Sequence, residues 1–149
     1  MFERILSIFS TPKAPKPLPE RDVPHALGAL MVRAAKADRA YLFEEVEQID
    51  LILSDLNGFN PVQAAKFRAE CERLEAAMPP EALVSVLHDA IPMEEREACV
   101  AALWRVVFAD GIEQEEEDTL LHAVEEALGV APDVAKRLHD EAQAAAGLG

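Results

Sequence analysis

The sequence lacks the residues that mark several large classes of protein. Its two cysteines, Cys71 and Cys99, form no CxxC pair, so neither a disulfide scaffold nor a thiol redox centre is indicated. Only 5% of the residues are aromatic and β-branched runs are scarce, which disfavours a β-sheet protein. No apolar run reaches the ~18–20 residues of a transmembrane helix, and residues 1–10 lack the basic start of a signal peptide. These absences predict a helical protein of the cytoplasm.

Basic residues are also few. Lys and Arg number 14 against 28 Asp and Glu, which gives a formal net charge of −14 and a pI near 4.6. Because proteins bind nucleic acids by neutralising phosphates with Lys and Arg, this balance argues against a nucleic-acid ligand. It suits a cation or a basic protein partner, although a strongly acidic surface also serves solubility alone.

What the chain has in abundance is Ala, Leu and Glu, which favour helix. We divide it into a short amphipathic segment at 1–10, a proline-rich linker at 11–24 and one helical domain at 25–146. One face of the first segment carries the apolar side chains Phe2, Ile5, Leu6 and Phe9. That face could dock on the domain, on a protein partner or, more weakly, on a membrane surface.

The apolar periodicity predicts an all-α domain of about seven helices. We place the first from residue 22 or 25 to 38, and the others near residues 42–57, 61–78, 81–90, 92–110, 113–128 and 132–145. Asn60 is the expected N-cap of the third helix, and Gly58 and Gly129 are expected to end the second and the sixth.

Two stretches of the chain, 31–56 and 103–128, repeat one plan. A shift of 72 positions gives the matched pairs Arg33/Arg105, Asp38/Asp110, Glu44/Glu116, Glu45/Glu117, Ile49/Leu121 and Leu56/Leu128. Two copies are too few for a solenoid. We therefore predict two helical hairpins related by a pseudo-twofold axis within one bundle.

Each hairpin is predicted to place one Asp and one Glu at the inward end of its helices. The apolar stripes of the fifth and first helices lead, at helical spacing, to Asp110 and Asp38. Followed backwards, the stripes of the sixth and second helices lead to Glu117 and Glu45. The stripe of the second helix also predicts that Leu56 faces inward.

Carboxylates at inward positions need compensation, and three sources remain open. The first is helix capping, since Asp110 and Glu113 have the spacing of a capping box. The second is a salt bridge to an arginine, for which the candidates are Arg33, Arg39 and Arg105. The third is a divalent cation such as Ca²⁺, Mg²⁺ or Zn²⁺, held by Asp110, Glu113 and Glu117.

The residues around the second acidic turn restrict the kinds of cation site that could form there. Nine Asp and Glu stand between Val106 and Ala135, and no Lys or Arg does. The twelve-residue loop of an EF-hand is absent. The histidines His25, His88, His122 and His139 are scattered without an HExxH motif, so each is read as a surface or packed histidine and a zinc site is not indicated.

The acidic turns also carry a family resemblance. Ala109-Asp110-Gly111 followed by Glu116-Glu117, and more weakly Ala37-Asp38 followed by Glu44-Glu45, resemble the duplicated motif of the TerB family over about residues 26–142. The resemblance implies a seven-helix bundle, metal-binding acidic residues and a role in bacterial stress responses such as tellurite resistance. Related domains precede the J-domain in the DjlA co-chaperone.

Carried over by motif position, the metal ligands would be Asp38, Glu45, Asp110 and Glu117, and we add Glu113 and Glu116 as supporting ligands. One departure concerns the first copy, where Arg39 stands in the place of the glycine at position 111. Its guanidinium would pair with Glu45 or Asp38 and fill the position of a cation.

These observations predict a non-enzymatic module that binds a divalent cation at its acidic turns. The alternative is a metal-free domain for protein–protein interaction, with the partner bound by the N-terminal segment or by the acidic face. A hydrolase is disfavoured, because no Ser-His-Asp or Cys-His set and no glycine-rich phosphate loop is evident.

Overall fold

The fold of the chain is all-α. The computed structural model describes residues 22–37, 41–111 and 113–147, and these contain seven α-helices and one 3₁₀ turn. The helices are α1 (Val23–Lys36), α2 (Phe43–Asn57), α3 (Pro61–Ala77), α4 (Pro80–Ala90), α5 (Met93–Val107), α6 (Glu115–Leu128) and α7 (Pro132–Ala145), and the 3₁₀ turn (Phe108–Asp110) follows α5. The predicted segment 1–10 and most of the linker 11–24 lie outside the described residues. No helix within the described part is both long and apolar enough to cross a membrane.

The helix ends follow local chemistry that the sequence predicts. Asn60 caps α3, since its side chain accepts a hydrogen bond of 2.8 Å from the Gln63 N–H. Gly58 and Gly129 end α2 and α6 in the left-handed region, with φ of 69° and 75°. The last two residues assigned to the linker, Val23 and Pro24, instead form the first turn of α1, where proline is tolerated.

The two repeats form two equivalent hairpins. α1 and α2 make the first, α5 and α6 make the second, and the hairpins contact each other through α1, α2, α5 and α6. In each repeat the next helix packs back on the first member of its hairpin, so α3 lies on α1 and α7 lies on α5. This arrangement matches the predicted pseudo-twofold bundle. α4 connects the repeats and packs on α1 and α6.

The core is one cluster centred on α1. Nine of the 14 residues of α1 are buried, so this helix is surrounded by its neighbours rather than amphipathic. Its largest core partners from other helices are fully buried, and they include Ile49, Leu53, Leu83, Leu103, Trp104, Leu121 and Leu128. Removing any of these from the core would cost several kcal/mol, on the order of 2–5.

The inward position predicted for Leu56 is wrong. Leu56 is 59% exposed, whereas Leu128, its counterpart in the second repeat, is fully buried. The reason is the asymmetric position of α4, which packs on α6, whereas the main neighbours of α2 are α1, α3, α5 and the 3₁₀ turn. The same repeat position is therefore core in one hairpin and surface in the other.

A close helix–helix contact tests this packing. A Cβ at Gly28 in α1 would overlap the Sγ atom of Cys71 in α3, which is fully buried. We expect Gly28→Ala to lower the free energy of unfolding by about 1–3 kcal/mol, as overpacked core sites do, despite the ~1 kcal/mol that Ala gains over Gly in a helix. Urea denaturation measures this change.

The control removes the overlapping atom. In a Cys71→Ala background, Gly28→Ala should lose most of its cost, because the overlapping Sγ is gone and only a tight 3.3 Å approach to the Cβ of residue 71 opposes the helix-propensity gain. An equal cost in both backgrounds would contradict the packing account.

Candidate functional site

One glutamate at the start of the second helix in each hairpin is completely buried. Glu45 in α2 and Glu117 in α6 both have 0% exposure, and they occupy matched repeat positions. Glu45 accepts a 2.9 Å hydrogen bond from the backbone N–H of Leu42, and Glu117 accepts one of 3.1 Å from that of Gln114. Each carboxylate thus serves a donor at the start of its own helix, where the helix dipole also favours negative charge.

The second acidic turn contacts the first hairpin directly. Asp110 is half-buried and ends the 3₁₀ turn, and Gly111 follows with φ of 79°, a conformation that favours glycine. This turn packs against α2, the helix that carries Glu45. The structure therefore brings Asp110 to the helix of the first-repeat glutamate. Asp38 and Arg39 lie outside the described residues.

The capping box predicted from Asp110 and Glu113 is wrong. The helix that was expected to begin near Glu113 begins at Glu115, and its N-cap is Gln114. Gly111 has a left-handed conformation with φ of 79°, and α6 begins only at Glu115. The acid that meets the start of α6 is instead Glu117, and Glu45 makes the same bond in α2.

The remaining predicted ligands and arginines occupy different surroundings. Glu116 is exposed on α6, and Glu113 faces His139 of α7. Arg33 donates to Glu75 at 3.1 Å, and Arg105 donates at 2.7 Å to the side-chain oxygen of Gln48, in the amide orientation that satisfies both groups.

No group of three or more acidic, histidine or cysteine side chains that would hold a metal ion occurs among the described residues. Because Asp38 is not among them, the ligand set Asp38, Glu45, Asp110 and Glu117, with Glu113 and Glu116 in support, stays a prediction.

A second site lies between α5, α6 and α7, and we call it the Trp104 groove. It encloses about 770 Å³, within the range of ligand sites in proteins. Its lining combines aromatic, acidic and small apolar side chains. The lining residues are Trp104, Glu113, His122, Glu125, Glu126, Gly129, Val130, Ala131, Pro132, Ala135, Lys136, His139 and Asp140.

A buried carboxylate organises one side of the Trp104 groove. Glu125 is 4% exposed, and its two oxygens accept from the indole N–H of Trp104 at 2.9 Å and lie 3.1 Å from Nδ1 of His122. Charge-assisted hydrogen bonds of this kind offset the cost of burying the carboxylate. Glu125 thus fixes the orientation of both rings.

His139 occupies the other side of the groove between two carboxylates. Its Nε2 lies 3.0 Å from Glu113 and its Nδ1 lies 2.9 Å from Asp140. The ring packs edge-on against Trp104, with 4.7 Å between centroids. Burial would lower the pKa of His139, but the hydrogen bonds to Asp140 and Glu113 outweigh it and raise the pKa.

Glu113 and Asp118 are two carboxyl groups that interact beside this histidine. Burial and the hydrogen bond to Glu113 raise the pKa of Asp118 to about 6. Burial would raise the pKa of Glu113 too, but its hydrogen bonds with Asp118 and His139 outweigh burial and lower the pKa. These opposite shifts mean that, of the two carboxyl groups, Asp118 is the one that holds a proton to higher pH.

Sequence reasoning missed the Trp104 groove, because it treated the histidines as isolated residues. One signal was present. Glu125 belongs to the inward stripe of α6 with Leu121, Val124 and Leu128, and a carboxylate in such a stripe requires a buried partner. Nothing local indicates that this partner is Trp104, which lies 21 positions earlier in the chain.

Comparison with known proteins agrees with the family that the sequence resembles. The family model described as tellurite resistance protein TerB matches residues 25–140. The chain therefore belongs to the TerB family. No curated protein and no solved structure gives a significant match to it.

The carboxyl pair predicts a pH-dependent stability. Asp118 releases its proton near pH 6 in the folded chain but near pH 4 when unfolded, so its ionisation destabilises the fold as the pH rises through that window. Asp118→Asn keeps a donor to Glu113 and removes this penalty. We expect the variant to exceed the wild type by about 1 kcal/mol at pH 7.5, after allowance for solvent screening, and to lose the advantage at pH 4. Thermal melts across this range measure the difference.

The matched control is Glu115→Gln, which removes an acid from an exposed position of the same helix. Its difference from the wild type should be small and nearly the same at both pH values. An Asp118→Asn advantage that persists unchanged at pH 4 would show that the carboxyl pair does not share a proton.

Proposed function

We propose that this TerB-family protein is a non-enzymatic cytoplasmic module that binds a divalent cation where its two acidic turns meet. The observation that supports this most is the complete burial of Glu45 and Glu117 at equivalent positions of the two hairpins. The 3₁₀ turn that carries Asp110 packs on α2, the helix that carries Glu45. Carboxylates gathered at one end of a bundle repel each other, and a divalent cation would relieve that repulsion.

In this proposal, Asp110 and Glu117 provide ligands from the second hairpin, and Asp38 and Glu45 provide them from the first. Glu113, which faces His139, and Glu116, which is exposed on α6, have the supporting part. The donor set is made of carboxylate oxygens alone, which favours Ca²⁺ or Mg²⁺ over Zn²⁺. The role would be a stress response of the tellurite-resistance type, with no chemistry on the oxyanion itself, which an acidic surface repels.

Calorimetric titration of metal-stripped protein with Ca²⁺ and Mg²⁺ tests this proposal. We expect saturable binding and a rise in melting temperature with metal concentration, because the folded state alone holds the ion. Asp110→Asn should weaken the affinity roughly tenfold or more, since a carboxylate ligand is lost.

Asp133→Asn is the matched control, since Asp133 is an exposed acid at the start of α7, outside the acidic turns. It should leave metal affinity unchanged. Equal loss in both variants would indicate diffuse attraction to the acidic surface, and no binding in the wild type would refute the proposal.

A second candidate function, metal-free interaction with a partner protein, is favoured by exposed apolar side chains around α2. Phe43, Leu51, Leu56 and Val62 are 53% to 71% exposed. Large exposed apolar groups are typical of interaction surfaces when they lie together. If partners of the full chain bind equally well with a chelator present and are lost in Leu51→Glu, this second function replaces the first.

A further inference from the structure

The Trp104 groove is strongly acidic. Four carboxylates line it, those of Glu113, Glu125, Glu126 and Asp140. Lys136 is the one Lys or Arg in this lining, and its ammonium group lies 2.7 Å from Asp140. His139, whose pKa is raised, also lies against Glu113 and Asp140, so the lining keeps an excess of negative charge that is smaller than its four carboxylates alone would give.

The end of α6 borders the groove through Glu125, Glu126, Gly129 and Val130. The carbonyl end of a helix carries a partial negative charge, but here Arg96 already donates to the carbonyl of Leu128 at 3.0 Å and compensates much of it. Glu125 at this end is 4% exposed, so part of the negative charge is held in a poorly solvated position where its interactions are stronger.

The rest of the lining is suited to an alkyl chain or a flat group. Val130, Ala131, Pro132 and Ala135 form an apolar wall along the turn between α6 and α7. His139 contributes one partly exposed aromatic ring, which Glu113 holds in place and which packs edge-on against the fully buried ring of Trp104. A long side chain with an apolar stem and a cationic planar head matches both the wall and the rim.

We propose that the Trp104 groove binds arginine side chains of a basic peptide segment on a partner protein. Arginine fits better than lysine, because its planar guanidinium pairs with two carboxylate oxygens at once. A volume of about 770 Å³ exceeds one guanidinium group and accommodates a short stretch of peptide with it. This site lies apart from Asp110, Glu45 and Glu117 and does not rest on cation binding at the acidic turns.

The experiment uses two blocked pentapeptides with the full-length protein. One is Ac-Ala-Arg-Ala-Arg-Ala-amide, and the other replaces both arginines by citrulline, which has the same shape without the charge. Calorimetry gives the affinities, and emission from Trp104, the one tryptophan of the chain, reports whether the groove is occupied. We expect the arginine peptide to bind, to weaken with added salt, and to change the emission, and the citrulline peptide to bind at least tenfold more weakly.

Two charge reversals on one helix provide the matched variants. Glu126 and Glu115 are both exposed on α6, but only Glu126 lines the groove. Glu126→Lys should weaken the arginine peptide roughly tenfold, and Glu115→Lys, with the same change in net charge, should weaken it by less than about twofold. Circular dichroism melts confirm that both variants are folded.

Several results would overturn the proposal. Equal binding of the two peptides, or equal losses of peptide affinity in the two variants, would show that the groove does not recognise the charge of a guanidinium group. If methylguanidinium binds as tightly as the arginine peptide, the ligand is a small organic cation rather than a peptide. Unaltered Trp104 emission during saturable binding would place the peptide elsewhere on the acidic surface.

Discussion

The structure depends on the burial of one carboxylate at the start of the second helix in each hairpin. Glu45 and Glu117 have no exposed surface, and each accepts a backbone N–H from the residue three positions earlier. This bond fixes where the helix begins and how the preceding turn approaches it. Because an uncompensated carboxylate in the core would be very costly, everything packed around these two residues must suit a negative charge.

The two hairpins share this constraint but have diverged around it. α4 packs on α1 and on α6, while α2 is not among its main neighbours, so Leu128 is core while its counterpart Leu56 is surface. The second repeat also carries Trp104, which hydrogen-bonds to the buried Glu125 and borders a groove beside α7. Position 32 of the first repeat, which matches Trp104, is a buried valine that offers no hydrogen bond. Duplication thus explains the bundle, and divergence explains why the groove belongs to one half.

Much of the fold could be predicted from the sequence, because its signals are local. Helical periodicity, Asn60 as an N-cap, and Gly58 and Gly129 as stops each act within a few residues of the feature they specify. The inward position of Glu45 and Glu117 was also predictable from the apolar stripes.

The start of α6 could not be predicted in this way. Gly111 adopts a left-handed conformation, and the helix begins at Glu115 rather than near Glu113. The contacts of Glu113 with His139 and of Glu125 with Trp104 join distant parts of the chain, and a single sequence does not encode such distances in its periodicity.

The most direct test of the central claim, one cation site shared by both acidic turns, is NMR with substoichiometric Mn²⁺. The paramagnetic ion broadens amide signals close to it and leaves distant ones sharp. A shared site predicts that signals from residues 43–46 and 108–117 broaden together at the same metal concentration, and that excess Mg²⁺ restores both. Broadening of one turn alone, or weak broadening spread over the exposed acids of α3 and α7, would contradict the shared site.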